Sequence, residues 1–232
     1  MSTFKFKQFD VLQSDTLQKI GTDAMVLGAI TCHDAPKNIL DVGTGTGVIA
    51  LMLAQSFPAA HVLGLDIDER ACDLAQANFR NSPFSSRLKI VSTSFLDFES
   101  TEKFDLIVSN PPYFNTTMYS DNEQRNLARH EGEMTLVKLL NHAAELLNET
   151  GKVWLILPAE RTEELLADST VDLFLSKRIE IYGKPNKHVR DILIYGKEVG
   201  VCVVESLTIR EESGIYSEEY KELTAEFHFN RL

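Results

Sequence analysis

The feature that most constrains this chain is an alternation. Short apolar runs rich in Val, Ile and Leu, at 38–43, 61–67, 87–92, 104–110 and 152–158, are separated by stretches with helical periodicity. Runs this short and this apolar read as strands buried on both faces. Between them, Ala71, Leu74, Ala75 and Phe79 fall at i, i+3, i+4 and i+8, which is one face of a helix. A second helix is expected over EMTLVKLLNHAAELLNE (133–149), with Gly151 as its C′ stop. Strand and helix alternating at this spacing imply an α/β fold, Rossmann-like, with a mostly parallel sheet covered on both faces.

The pattern changes toward the C-terminus. RIEIYG (178–183), DILIYGK (191–197) and VCVVESLTIR (201–210) follow one another with no room for crossover helices, so these strands are expected to pair antiparallel. The segment 211–229 has space for one more short helix. With no repeat and no break in composition, a single domain over 1–232 is expected. It comprises an N-terminal cap segment (1–37), a core (38–160) and a C-terminal helix with antiparallel strands (161–232). At 232 residues and 44% hydrophobic content the chain can bury a substantial core.

Composition also excludes classes. Cys32, Cys72 and Cys202 are widely spaced and form no CxxC pair, so neither a disulfide framework nor a zinc site is suggested, and no metal is expected. No apolar run is long enough to span a membrane, and MSTFKFKQFDVLQSD lacks the apolar region of a signal peptide. A cytoplasmic monomer is expected. The net charge of -11 argues against a surface that attracts polyanions everywhere. A local basic patch remains open, with Lys177, Arg178, Lys184, Lys187 and Arg190 gathered within a hairpin's length and Lys5 and Lys7 forming a smaller cluster.

After the first of the central strands comes DVGTGTGVIALML, where Gly43, Gly45 and Gly47 make a tight loop running into a helix. A dinucleotide fingerprint would need glycine at 48, which is Val48, and a P-loop would need Lys followed by Ser or Thr. Both phosphate readings weaken, and with them a nicotinamide oxidoreductase. Asp41 stands before the loop, where a carboxylate repels pyrophosphate but suits a cationic amino acid head group. Asp66 lies about 20 residues past the loop, placed to accept from both ribose hydroxyls, and Ile67 beside it joins the cofactor contacts. A ligand with a ribose, an amino acid portion and no phosphate is S-adenosylmethionine. Ser94 and Phe95, in STSFLDF, are expected to flank its adenine, with Asp97 three residues on.

The strand 104–110 ends in Asn110-Pro111-Pro112-Tyr113. Two prolines stop the strand and supply carbonyl acceptors without competing N–H groups. The Asn110 side-chain oxygen and the Pro111 carbonyl can accept both hydrogens of an exocyclic amine and turn its lone pair outward, while Tyr113 stacks on the base.

The glycine loop together with NPPY resembles the class I S-adenosylmethionine-dependent N-methyltransferases that act on planar nitrogen. FKFKQFDVLQSDTLQKIGTDAMVLGAI (4–30), LARHEGEMTL (127–136) and LTAEFHF (223–229) are similar to the bacterial family that methylates N6 of adenosine 37 in a valine tRNA. This resemblance implies a tRNA substrate and a lip over the cofactor formed by Lys19, Gly21 and Thr22, with Thr22 as helix N-cap. The polar segment 114–133, long for a loop and directly after the NPPY turn, is expected to be a lid or clamp, with Arg125, Arg129 and His130 meeting phosphates.

Three alternatives stand beside this one. The glutamine methyltransferases of release factors share NPPY, but they usually carry a helical domain before the glycine loop, and about 38 residues precede it here. Another RNA adenine is a second target. From a different class, a module that binds S-adenosylmethionine and RNA without turnover would have no reason to keep Asn110 and Tyr113 together.

Overall fold

The computed structural model describes residues 1–14, 17, 19–111, 135–168 and 170–229. An antiparallel hairpin of β1 (Ser2–Lys5) and β2 (Asp10–Gln13) comes first, followed by α1 (Thr22–Ile30). The alternating core is β3 (Asn38–Val42), α2 (Val48–Ser56), β4 (His61–Asp66), α3 (Glu69–Arg80), β5 (Leu88–Ser92) and β6 (Phe104–Ser109). Beyond it come α4 (Leu136–Leu146), β7 (Leu147–Pro158), α5 (Ala159–Leu166), β8 (Phe174–Lys184), β9 (Lys187–Gly196), β10 (Val203–Thr208) and α6 (Glu218–Thr224).

Among the described residues, one sheet runs in the order β10-β8-β9-β7-β6-β3-β4-β5. The mostly parallel α/β expectation holds, since β3, β4, β5, β6 and β7 pair parallel. Alternate residues of each strand feed two cores. Ile39, Leu106, Ile156 and Ile192 pack with α1, α2 and α3 on one face. Leu40, Ile107, Leu155 and Leu193 pack with α4 and α5 on the other. Each such aliphatic side chain removed from water contributes roughly 1.5–3 kcal/mol before ordering costs.

The antiparallel expectation for the C-terminal strands needs one correction. β9 pairs antiparallel with both β7 and β8, but β10 lies parallel to β8. Because β9 already has a neighbour on each side, the chain returning through 197–202 can dock only beyond β8. Running opposite to β9, it is necessarily parallel to β8. β10 is thus a free edge among the described residues, with Val203 and Val204 50% and 59% exposed.

Gly151 is also not a helix stop. The chain leaves α4 at Leu147 in an extended conformation and enters β7 there. Gly151 lies inside β7, where a Cβ would come within 2.9 Å of the Leu147 side chain and the Phe104 carbonyl. It is needed for close packing of backbone on its neighbour rather than for a left-handed turn.

Candidate active site

The loop from Gly43 to Gly47 is built on left-handed backbone, with φ of 72° at Gly43, 56° at Gly45 and 79° at Gly47. A side chain at Gly47 would be strained and would also meet Phe79 of α3 at 2.5 Å, so this position fixes how closely α2 and α3 approach. At Gly43 and Gly45 a Cβ would meet no atom within 4 Å, so their outer side is open to a ligand. Gly43 and Thr44 both donate backbone N–H to the Leu65 carbonyl, at 2.9 Å each, which stitches the loop to β4.

Two carboxylates hold this loop. Asp66 Oδ2 accepts from Gly45 N–H at 2.8 Å and Oδ1 accepts from Asp68 N–H at 3.0 Å. Each oxygen retains a further lone pair, which is what two ribose hydroxyls require. Burial is the main cause holding the Asp66 pKa above the usual carboxylate range, opposed by those two N–H groups. Ile67, next in the chain, is 53% exposed and offers an apolar surface at the same edge.

Asp41 is fully buried. Its Oδ2 accepts from Thr44 Oγ1 at 2.6 Å and from Ala50 N–H, in the first turn of α2, at 3.1 Å, while Oδ1 is buried with no hydrogen-bond partner among the described residues. Desolvation raises its pKa from 3.8 to about 7, against the lowering effect of Thr44 and Ala50. The head-group contact expected at Asp41, direct or through water, meets a carboxylate with no exposed surface, enclosed by the loop. Its first task is to organise the turn and cap α2.

The turn after β6 emerges beside this loop. Val42 and Ser109 are register partners, and Ser109 Oγ donates to the Val42 carbonyl at 2.9 Å. Gly43 and Asn110 consequently leave the sheet as neighbours, about one strand spacing of 4.8 Å apart. Pro111 is buried. Pro112, Tyr113 and the segment 114–133, with Arg125, Arg129 and His130, lie outside the described residues.

The segment from Lys19 to Asp23 is tied to β2 and β9. Lys19, Gly21 and Thr22 are exposed, Ile20 N–H donates to Gln13 Oε1 at 2.9 Å, and Asp23 pairs with Arg190 of β9 at 2.9 Å. The N-cap is Gly21 rather than Thr22, which is the first helical residue, and Gly21 has no side chain with which to cap it. Ser94 begins a short 3-10 turn, Phe95–Asp97. Phe95 turns its ring inward against His142, with centroids 4.9 Å apart at 72°, so it serves the core and only Ser94 of that pair keeps an exposed side.

The basic patch needs the largest correction. Lys177 pairs with Glu205 at 2.7 Å, Arg190 with Asp23, and Arg178 with both Asp191 and Glu163 at 2.9 Å. Lys184 and Lys187, at the tip of the β8–β9 hairpin, are in no ion pair among the described residues. One missed residue also matters. Asn78 of α3 accepts from Leu12 N–H at 2.8 Å and donates to the Leu12 and Thr46 carbonyls at 3.1 and 2.8 Å, tying the N-terminal hairpin to the glycine loop. Nothing in the sequence marked Asn78 except a polar residue on an otherwise apolar helix face.

Among the described residues no three His, Cys, Asp or Glu side chains converge on a metal-sized position, and no helix is long and apolar enough to cross a membrane. The fold and the edge it builds define a methyltransferase, and residues 14–173 match the methyltransferase small domain family. The fold is similar to a predicted O-methyltransferase from Agrobacterium tumefaciens, with a TM-score of 0.68 at 17% identity over 88% of this chain and 96% of that one. It is also similar to TrmN from Thermus thermophilus, with a TM-score of 0.54 at 19% identity over 75% of this chain and 48% of that one. In sequence, the chain is 42% identical to the tRNA1(Val) (adenine(37)-N6)-methyltransferase of Porphyromonas gingivalis W83, covering 97% of this chain and 94% of that protein. It is 39% identical to the protein of the same name from Bacteroides thetaiotaomicron, covering 98% and 97%. The chain belongs to the tRNA1(Val) (adenine(37)-N6)-methyltransferase family.

Proposed function

We propose that this chain, as a single cytoplasmic domain, transfers a methyl group to N6 of adenosine 37 in a valine tRNA. The substrate follows from the activity for which its relatives are named. The observation that carries the reading is the register of Val42 with Ser109, which starts the glycine loop and the Asn110-Pro111 turn side by side. S-adenosylmethionine, when bound, supplies an electrophilic methyl on its sulfonium. The residues present fit it: the open side of Gly43 and Gly45, the spare lone pairs of Asp66 for the ribose, and Ile67 and Ser94 for the adenine. Lys19, Gly21 and Thr22 border the same edge as a lip.

Asn110 Oδ1 and the Pro111 carbonyl accept the two N–H bonds of the target amine. Those bonds localise a lone pair that the ring otherwise withdraws, and they fix its direction. Rate enhancement then comes from position and local polarity, with no strong general base required. Pro112 and Tyr113 follow in the sequence, outside the described residues, and an aromatic residue at 113 is of the type that stacks on an extruded base.

The test is transfer of labelled methyl from S-adenosylmethionine to total tRNA and to release factor, followed by nucleoside digestion. Label in N6-methyladenosine of a valine tRNA is expected, and label in glutamine would overturn the substrate. Asn110→Ala should lower transfer by about 100-fold or more, in line with loss of one preorganised transition-state contact, while cofactor affinity measured by calorimetry stays within about twofold. Parallel loss of both would remove Asn110 from the proposed role.

A further inference from the structure

We infer that the tip of the β8–β9 hairpin is a second RNA contact, at which Tyr182 and His188 stack on an unpaired base of the substrate and Lys184 and Lys187 bind its phosphates. The inference rests on the RNA substrate proposed above and adds a contact to it, outside the catalytic turn.

The register places the hairpin beside the catalytic turn. Ser109 of β6 pairs with Leu155 of β7, and Pro158, three residues further along β7, pairs with Arg190 of β9. Arg190 therefore stands about 10 Å beyond the level of Ser109 and, two strand spacings away, about 10 Å to its side. The chain from 184 to 187 continues past that level, so it overhangs the edge from which Asn110 emerges.

The tip is short and shaped. A two-residue loop, Pro185-Asn186, joins the strands, with Asn186 at φ 61°, a left-handed conformation that Asn tolerates. Register irregularities fall on both sides of the Tyr182–His188 pair. Bulges of this kind break the ladder and re-aim side chains, and they recur next to active sites. Here they set the two rings stacked, with centroids 5.3 Å apart at 29°.

The rings are held by their polar atoms. Tyr182 Oη donates to Glu180 Oε2 at 2.9 Å, and His188 Nε2 lies 3.0 Å from both Asp191 Oδ1 and the Arg190 carbonyl. Asp191, fully buried, is in turn gripped by Arg178 Nε and Nη2 at 2.9 and 3.1 Å. The hairpin thus anchors an aromatic pair whose rings stay partly exposed. Aromatic platforms of this kind bind unpaired bases whatever their sequence, because every base has a π-face.

The charges point the same way. Lys184 and Lys187 are register partners, and like charges directly opposite each other destabilise a hairpin. Among the described residues Lys184 Nζ donates only to the Glu212 carbonyl, at 3.2 Å, and Lys187 is exposed. In a chain of net charge -11, whose neighbouring Lys177, Arg178 and Arg190 are each paired with acids, two uncompensated ammonium groups at one tip match an anionic partner.

The test is steady-state methyl transfer to a valine tRNA transcript, with cofactor affinity measured alongside as the check on folding. Tyr182→Ala and His188→Ala should each raise KM for tRNA by about tenfold, the usual effect of losing one base–aromatic stack. Tyr182→Phe, which keeps the ring and loses only the Glu180 hydrogen bond that orients it, should raise KM less than Tyr182→Ala does. Lys184→Gln with Lys187→Gln should flatten the dependence of log affinity on log salt by about 1.4 to 1.8, as two released phosphate contacts would. Unchanged KM for tRNA in both alanine variants, with wild type active, would overturn the inference and leave the proposed function intact. An unchanged salt slope in the lysine pair would overturn the phosphate contact. A wild-type protein that binds cofactor but methylates no tRNA would remove the proposed function and this contact with it.

Discussion

Asp41 on β3 and Asp191 on β9 are both fully buried in the sheet, yet their partners differ in kind. Asp41 is met by a hydroxyl and one backbone N–H and keeps an orphan oxygen. Asp191 is met by a guanidinium on both oxygens and by an imidazole. The Arg178 pKa is raised by this pairing, with the Asp191 hydrogen bonds as the largest cause. The glycine-loop half of the sheet therefore leaves a buried carboxyl with one oxygen unpartnered among the described residues. The C-terminal half compensates its acid internally and uses the pair to hold a hairpin in place.

The comparison breaks most visibly if Asp191 proves dispensable. Asp191→Ala strands the Arg178 charge against the sheet, and loss of one partner of a buried pair costs about 3–5 kcal/mol. Urea unfolding should show a loss on that scale, and a loss below about 1 kcal/mol would mean that Glu163 and solvent already satisfy Arg178.

Asp41 predicts a pH dependence of definite sign. Folding raises its pKa from 3.8 to about 7, so the folded protein holds this proton more tightly than the unfolded chain does. Stability should then fall as pH rises through that window, by up to about 4 kcal/mol for a shift of this size. Asp41→Asn should flatten the curve in unfolding measurements from pH 4 to 8. An identical slope in the variant would assign the effect to other groups.

The smallest expected effect belongs to Asp66. Asp66→Ala should weaken binding of S-adenosylmethionine by roughly 1.5–3 kcal/mol, the range for a hydrogen bond to a charged group, and leave KM for tRNA nearly unchanged. Full cofactor affinity in calorimetry would place the ribose elsewhere on the edge.

What was legible in the sequence was local. The glycine spacing, Asp66 twenty-odd residues on and the Asn110-Pro111 stop are each defined within one strand and its following turn, so periodicity and residue chemistry locate them. What was not legible depends on partners far along the chain. The β1–β2 hairpin is too short to show a pattern, and its attachment rests on Asn78, 66 residues from Leu12. The cluster from Lys177 to Arg190 looked like a free basic patch because Asp23, Glu163 and Glu205 are invisible as its partners until the strands are ordered. Phe95 looked like a ligand contact for the same reason, since His142 comes from a distant helix. The parallel β10 follows from the edges of β9 being taken, a fact of sheet order that no segment carries by itself.

That edge has a colloidal consequence. β10 presents unpaired backbone and two exposed valines, the arrangement from which sheets of separate molecules join edge to edge. Glu205 lies within the strand, and the net charge of -11 keeps copies apart in neutral solution. As acid removes carboxylate charge, mutual repulsion fades while the edge stays open. Precipitation should therefore set in on mild acidification before the fold itself is lost, and one more charge in place of Val204 should delay it.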